Sequence, residues 1–199
     1  MKWLGRASIL LLLASCQSEP PPVERSELEQ AAEALLQLHN GDEGSAARFA
    51  KHPASMVHRM AWFREQIGAC DRYELYRSFG PERARFVYHC DRGQLEALIG
   101  LADDGRVKQL LTGARGVNPP AEVRAAAERW LDSPDAAAEA DGCRIDRVHL
   151  GSVSGALFVL VCPDGEKTLK TELDHGGMPR HIEVFDRALD EWRVPVHAG

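Results

Sequence analysis

The sequence predicts an α+β fold of two tandem modules, each with helices followed by an antiparallel β-meander. Three observations carry this. A strand–turn–strand segment bracketed by two cysteines occurs twice, from Cys70 to Cys90 and from Cys143 to Cys162. The opening cysteines stand 73 residues apart and the closing ones 72. The stretches just after the two copies also match in outline: Asp91-Arg92-Gly93 and a strand ending near Leu101 and Gly105, against Pro163-Asp164-Gly165 and a strand ending near Leu173 and Gly177. A near-constant offset across several landmarks in one order points to an internal duplication.

The first module is read as residues 24–113. From Glu24 to Leu38 the apolar residues Leu28, Ala31, Ala32, Leu35, Leu36 and Leu38 recur at helical spacing. Ser26-x-x-Glu29 offers a capping box, and Asn40-Gly41 a stop. Ser45 to Lys51 suits a short helix. Ala54 to Ile67 suits a longer one, with Val57, Met60, Ala61 and Ile67 toward the core. The hairpin comes next. In its second strand, Ala84, Phe86 and Tyr88 take one face and Arg85, Val87 and His89 the other. A third strand spans Gln94 to Ala102, Asp103-Asp104-Gly105 makes a turn, and a fourth strand spans Arg106 to Leu111.

Gly113 to Pro120, with its Gly, Asn and Pro-Pro, marks the boundary. The second module, 119–199, opens with a helix from Pro120 to Leu131 that sets Val123, Ala126, Ala127, Trp130 and Leu131 on one side. Pro134 to Ala140 suits a further turn of helix. Nearly every residue from Ala156 to Val161 is apolar, so that strand is covered on both faces. Strands Lys167 to Leu173 and Arg180 to Phe185 complete the meander, and Leu189 to Gly199 forms an extra strand or arm. The helical preludes of the two modules do not align, so the duplication rests on the strands.

Four cysteines allow three pairings. Folding the first hairpin about Gly80 sets Arg77 opposite Arg83 and Cys70 opposite Cys90. Folding the second about Gly151 to Ser154 sets Cys143 opposite Cys162. Opposed residues of an antiparallel pair lie within disulfide reach, so this geometry favours one bond per hairpin.

At the N-terminus, Lys2 and Arg6 precede a short apolar run from Ala7 to Ala14 that closes on Leu13-Ala14-Ser15-Cys16. The run is too short to span a bilayer. It resembles the lipobox of bacterial lipoproteins. That resemblance implies that residues 1–15 are a signal peptide, that Cys16 is lipidated, and that 16–23 form a Pro-rich tether. Gln17 after the lipidated cysteine implies the outer membrane, facing the periplasm. Loss of Lys2 and Arg6 would take the formal charge from −6 to −8. An acidic chain with no basic run interleaved with aromatics argues against nucleic acid as a partner and against electrostatic docking to anionic lipid.

Chemistry is sparse. Gly151-Ser152-Val153-Ser154-Gly155 lacks the central serine of a nucleophile elbow and reads as a hairpin loop. Asp174, His175, His181 and Glu183 are the one group holding both His and carboxylates, and a solvated strand face accounts for them. His52 and His58 have no ligand partner at helical spacing. Arg72, Arg77, Arg83, Arg85 and Arg92 concentrate on the first hairpin, either as an anion-facing surface or as charges guarding strand edges. Trp62-Phe63 is an aromatic pair with at least one ring in the core. No catalytic, metal or cofactor residue is expected.

The landmarks Gly68-x-Cys70, Ala84-Arg85-Phe86, Cys90-Asp91-Arg92-Gly93, Leu95 and Gly105-Arg106-Val107, with Gly142-Cys143, Ala156-x-Phe158, Cys162-x-x-Gly165, Leu173 and Gly177 in the second copy, have a family likeness. They resemble a small α+β module appended to penicillin-binding-protein-like serine hydrolases of bacterial envelopes. The resemblance is structural and carries over no nucleophile. A cystatin-like or ketosteroid-isomerase-like half-barrel is the alternative. The expected function is a non-catalytic envelope lipoprotein acting as an interaction or ligand-binding unit, membrane-anchored, with an envelope protein or the cell wall as partner. The alternative is a small hydrolase or isomerase with a pocket on the concave face of a sheet.

Overall fold

The computed structural model describes residues 26–49, 53–174 and 176–186. Helix α1 spans Glu27–His39 and opens on the expected capping box: the Ser26 hydroxyl accepts from the Glu29 amide while the Glu29 carboxylate accepts from the Ser26 amide. A 3₁₀ turn, Glu43–Arg48, comes next. Helix α2 spans Pro53–Ile67. Its buried residues are Met56, Met60, Phe63 and Ile67, while Ala61 is exposed and Val57 half-buried. The core stripe therefore runs along a neighbouring face to the one the spacing suggested.

Four strands succeed the helices: β1 Cys70–Ser78, β2 Arg83–Cys90, β3 Gly93–Leu101 and β4 Val107–Arg115. Helix α3, Ala121–Leu131, and a 3₁₀ turn, Pro134–Ala138, lead into β5 Arg144–Ser152, β6 Gly155–Cys162, β7 Gly165–Leu173 and β8 Pro179–Phe185. All eight strands form one antiparallel sheet in chain order. Among the described residues no helix is long and apolar enough to cross a membrane.

All three helices lie on one face of this sheet. Directly paired residues share a face, and the ladders link Leu95 to Ala114, Ala114 to Gly151, Gly151 to Ala156 and Ala156 to Thr171. On this face Ala84, Phe86, Tyr88, Leu95, Ala97 and Ile99 pack with α1 and α2. Ala156, Phe158 and Leu160 pack with Val123, Ala126 and Ala127 of α3. The buried Tyr88 hydroxyl donates to the Ala32 carbonyl at 3.1 Å, which fixes α1 across the sheet. The opposite face carries no described helix, yet Val87, Leu98, Leu150, Leu157 and Val159 on it are buried. As expected, β6 is covered on both faces.

The hairpin registers differ from a simple fold about the loop, and they differ alike in the two halves. Ser78 pairs with Ala84 and Arg77 with Arg85, not Arg83, and two bulges on β1 then bring Cys70 opposite Cys90. In the second hairpin Ser152 pairs with Gly155, so the turn has two residues rather than four, and β5 again carries two bulges. The bulges nearer the tips, between Leu75 and Arg77 and between Val148 and Leu150, lie 73 residues apart. A bulge adds one residue to one strand, so two bulges absorb a hairpin tip displaced by two steps in the pairing count.

The fourth strand runs past its expected end at Leu111, through Gly113 and Ala114 to Arg115. That extension is what joins the two meanders, and only Ala114–Gly151 and Arg115–Leu150 pair across the seam. Glycine there is a packing requirement rather than a break. A Cβ on Gly113 would stand 2.9 Å from Leu150 Cβ, and one on Gly151 would collide with the Val117 carbonyl oxygen.

Candidate functional site

The short seam leaves a step. Hairpin β5–β6 turns back at Ser152, so β4 from Val107 to Thr112 has no strand partner on that side among the described residues. A cleft of about 250 Å³ occupies the step, lined by Leu110 to Gly113 of β4, Leu150 to Ser152 and Ser154 to Leu157 around the β5–β6 turn, Lys170 to Leu173 of β7, and Arg180. From the helix layer α2 contributes Arg59. Its walls are apolar at Leu110, Leu111, Leu150, Leu157 and Leu173, and its polar side chains come from α2, β4, the β5–β6 hairpin, β7 and β8.

Arg59 is half-buried and makes no hydrogen bond or ion pair among the described residues. Burial pushes its guanidinium below the ordinary value, opposed by attraction to Glu172. Glu172 itself pairs with Lys170 at 3.0 Å. The hydroxyls of Thr112 and Thr171, both lining the cleft, are buried with no hydrogen-bond partner among the described residues. Thr171 is fully buried. Unpaired buried hydroxyls are uncommon and costly. The cleft thus offers a desolvated cation, two idle hydroxyls and apolar walls.

Beyond Gly113 and Leu150 lies a second polar group. Glu96 is 3% exposed and Arg85 6% exposed on the face away from the helices, and they form an ion pair. Arg115 Nε donates to the other Glu96 oxygen at 2.9 Å. Burial tends to raise the Glu96 carboxyl, but the hydrogen bonds and charges of Arg85 and Arg115 outweigh it and hold the group below its usual range. His149, at the second β5 bulge, sits in the field of Glu96 and these arginines. Burial lowers its pKa first, and the arginines add to that.

The five arginines of the first hairpin separate into distinct roles. Arg85 is neither a solvated edge charge nor part of an anion-facing surface, because Glu96 draws it inward. Arg92 donates to the Glu65 carbonyl at 2.7 Å, at the C-terminal end of α2, where carbonyls lack helical partners. Arg72 pairs with the adjacent Asp71. Arg77 and Arg83 flank the Phe79 ring at 5.3 and 5.4 Å.

Disulfides join Cys70 to Cys90 and Cys143 to Cys162. His39 is fully buried beside the first bond and donates from Nε2 to the Gly68 carbonyl at 2.8 Å, and burial lowers its pKa. The donor atoms of His39, Cys70 and Cys90 lie within 4.8 Å of one another, but both sulfurs are committed to the disulfide. His181 meets Glu183 at 2.9 Å across alternate positions of β8. Asp174 accepts from the Gly176 and Met178 amides and shapes the β7–β8 turn. His175, His52, Cys16 and residues 189–199 lie outside the described residues. Phe63 is buried, with Trp62 half-buried against it.

Sequence reading missed Arg59, Thr112, Thr171 and Glu96. A carboxylate inside the apolar run Leu95 to Leu101 was the one available signal, since a charge there needs a buried partner. No protein-family model matches this sequence, and no curated protein matches it either.

Proposed function

We propose that this chain is a non-catalytic, lipid-anchored protein of the bacterial envelope. In this reading its two halves are one module used twice, and the cleft between them binds a small anionic ligand carrying an apolar portion. Matching strand order, paired bulges and one disulfide per hairpin support the duplication. Duplication with a staggered junction makes a cleft that neither half has alone.

The observation that carries the binding reading is Arg59 in the cleft, desolvated and without an ion pair among the described residues, beside the Thr112 and Thr171 hydroxyls, which have no hydrogen-bond partner among them either. A carboxylate or phosphate there would gain a charge-assisted hydrogen bond, worth about 1.5–3 kcal/mol. The enzyme alternative needs a positioned acid or base. Among the described residues no histidine lines the cleft, and its one carboxylate, Glu172, is engaged with Lys170.

Calorimetric titration with octanoate and octyl phosphate, with octanol as the neutral control, tests the reading. The acids bind, octanol binds far more weakly, and Arg59→Ala weakens the acids by about ten- to a hundredfold. Equal affinity for octanol, or an unaffected Arg59→Ala, would remove the anionic site.

The anchor has its own test. Cys16→Ser leaves the protein unacylated by intact mass and shifts it out of the membrane fraction. An unchanged mass and fractionation would refute the lipobox reading.

A further inference from the structure

We infer that the tip of the β1–β2 hairpin is a bilayer-contact surface, resting on the phospholipid headgroups of the membrane that holds the chain by Cys16. This rests on the lipid-anchor reading above. The first observation is exposure. Leu75 is 57% exposed, Tyr76 50% and Phe79 39%, and among the described residues the only other large exposed apolar side chain is Met178. All three belong to the edge strand and its turn: Leu75 pairs with Phe86 on the helix-bearing face, while the Tyr76 ring lies over Arg85 on the other, so the exposed apolar side chains flank both sides of one sheet edge.

The second observation is the chemistry around Phe79. Arg77 and Arg83 hold their guanidiniums over the ring from two strands, and neither makes an ion pair among the described residues. Two of the nearby carboxylates are engaged with other cations: Asp104 pairs with Arg106 at 2.6 Å and Glu82 approaches Lys108 at 3.9 Å. An aromatic ring flanked by long cationic side chains suits the headgroup layer. The ring sits among the glycerol and upper acyl groups while the guanidiniums reach phosphates. Elsewhere the chain is acidic, so anionic lipid would meet it favourably at few other places.

The third observation is where the tether arrives. Glu82, at the end of the β1–β2 turn, accepts from the Leu101 amide at 2.8 Å, which sets this tip beside the β3–β4 turn. The Glu27 carboxylate lies against Gly105 of that same turn. Residue 26, where the described chain begins, is therefore at the end of the molecule that carries Phe79. The eleven residues from Cys16 to Ser26 extend at most about 35 Å. An anchor attached at this end keeps the tip within reach of the bilayer.

Hydroxyl-radical footprinting of the full-length acylated protein tests this, in vesicles of phosphatidylethanolamine and phosphatidylglycerol at roughly three to one. The reference is the Cys16→Ser protein in solution. Intact mass of the acylated sample first reports the lipid on Cys16, and an unacylated mass overturns both the anchor and the tip. With the lipid present, labelling of Tyr76 and Phe79 falls at least about threefold in vesicles, while Met178 is unchanged. Arg77→Glu with Arg83→Glu restores labelling at both residues, and unchanged labelling of the β5–β8 strands shows that the variant is folded. Acylated protein whose Tyr76 and Phe79 label as in solution would overturn the tip alone. Protection that grows with protein density, or appears in concentrated Cys16→Ser protein, would identify a second copy as the occupant and also overturn it.

Discussion

Glu96→Ala will destabilise the fold by about 3–5 kcal/mol, the largest single-residue effect expected in this chain. The reason is the loss of a buried countercharge rather than of a surface attraction. Arg85 lies 6% exposed on the second strand, and Glu96 is the carboxylate that answers the desolvation of its guanidinium. Arg115 is half exposed and turns to water. Urea unfolding checks the value through a lower midpoint at an unchanged slope. The double variant Arg85→Leu with Glu96→Leu recovers most of the loss, since an apolar pair of similar volume needs no compensating charge. A loss below about 1 kcal/mol for Glu96→Ala would show that water reaches Arg85. The sign with pH comes from the lowered folded pKa of Glu96. Its contribution is present above the unfolded carboxylate value and fades as pH falls through the folded one. Glu96→Gln therefore flattens the acid limb of the stability curve.

Removing the first disulfide, as Cys70→Ala with Cys90→Ala, is expected to cost about 3 kcal/mol by loop entropy. The bond closes a sequence separation of 20. Its loss also loosens a stitched corner. The Asn40 side chain donates to the Cys70 carbonyl at 2.8 Å and accepts from the Cys70 amide at 3.0 Å, so the end of α1 is tied to the start of β1. Hydrogen exchange should show α1 and β1 to β4 opening before β5 to β8, because the ladder across the seam is only two residue pairs long. Equal loss of protection in all eight strands would instead show that the seam transmits the full cooperativity of the sheet.

The features legible in the sequence were those that local physics decides. Ser26 and Glu29 are three residues apart on the same turn, so the capping box arises from their identity alone. Ala84, Phe86 and Tyr88 alternate with Arg85 and Val87, and strand period sorts them onto two faces. Cys70 and Cys90 met because each hairpin is short enough for counting to reach its ends, even though bulges changed the pairs between.

Tertiary structure decided everything that depends on which distant elements meet. Arg85 is one more charged residue of a strand until β3 places Glu96 beside it. Gly113 reads as a breaker because glycine weakens strands, and only the Leu150 side chain across the seam makes it a strand residue. Arg59 lies on a helix of the first half and Thr171 on a strand of the second. No local pattern links them. The stagger of β5 against β4 brings them to one cleft, and that stagger is set by two residue pairs and the close approach of Val117 to Gly151. Local propensity carries no information about such a contact, because its energy belongs to side chains far apart in the chain.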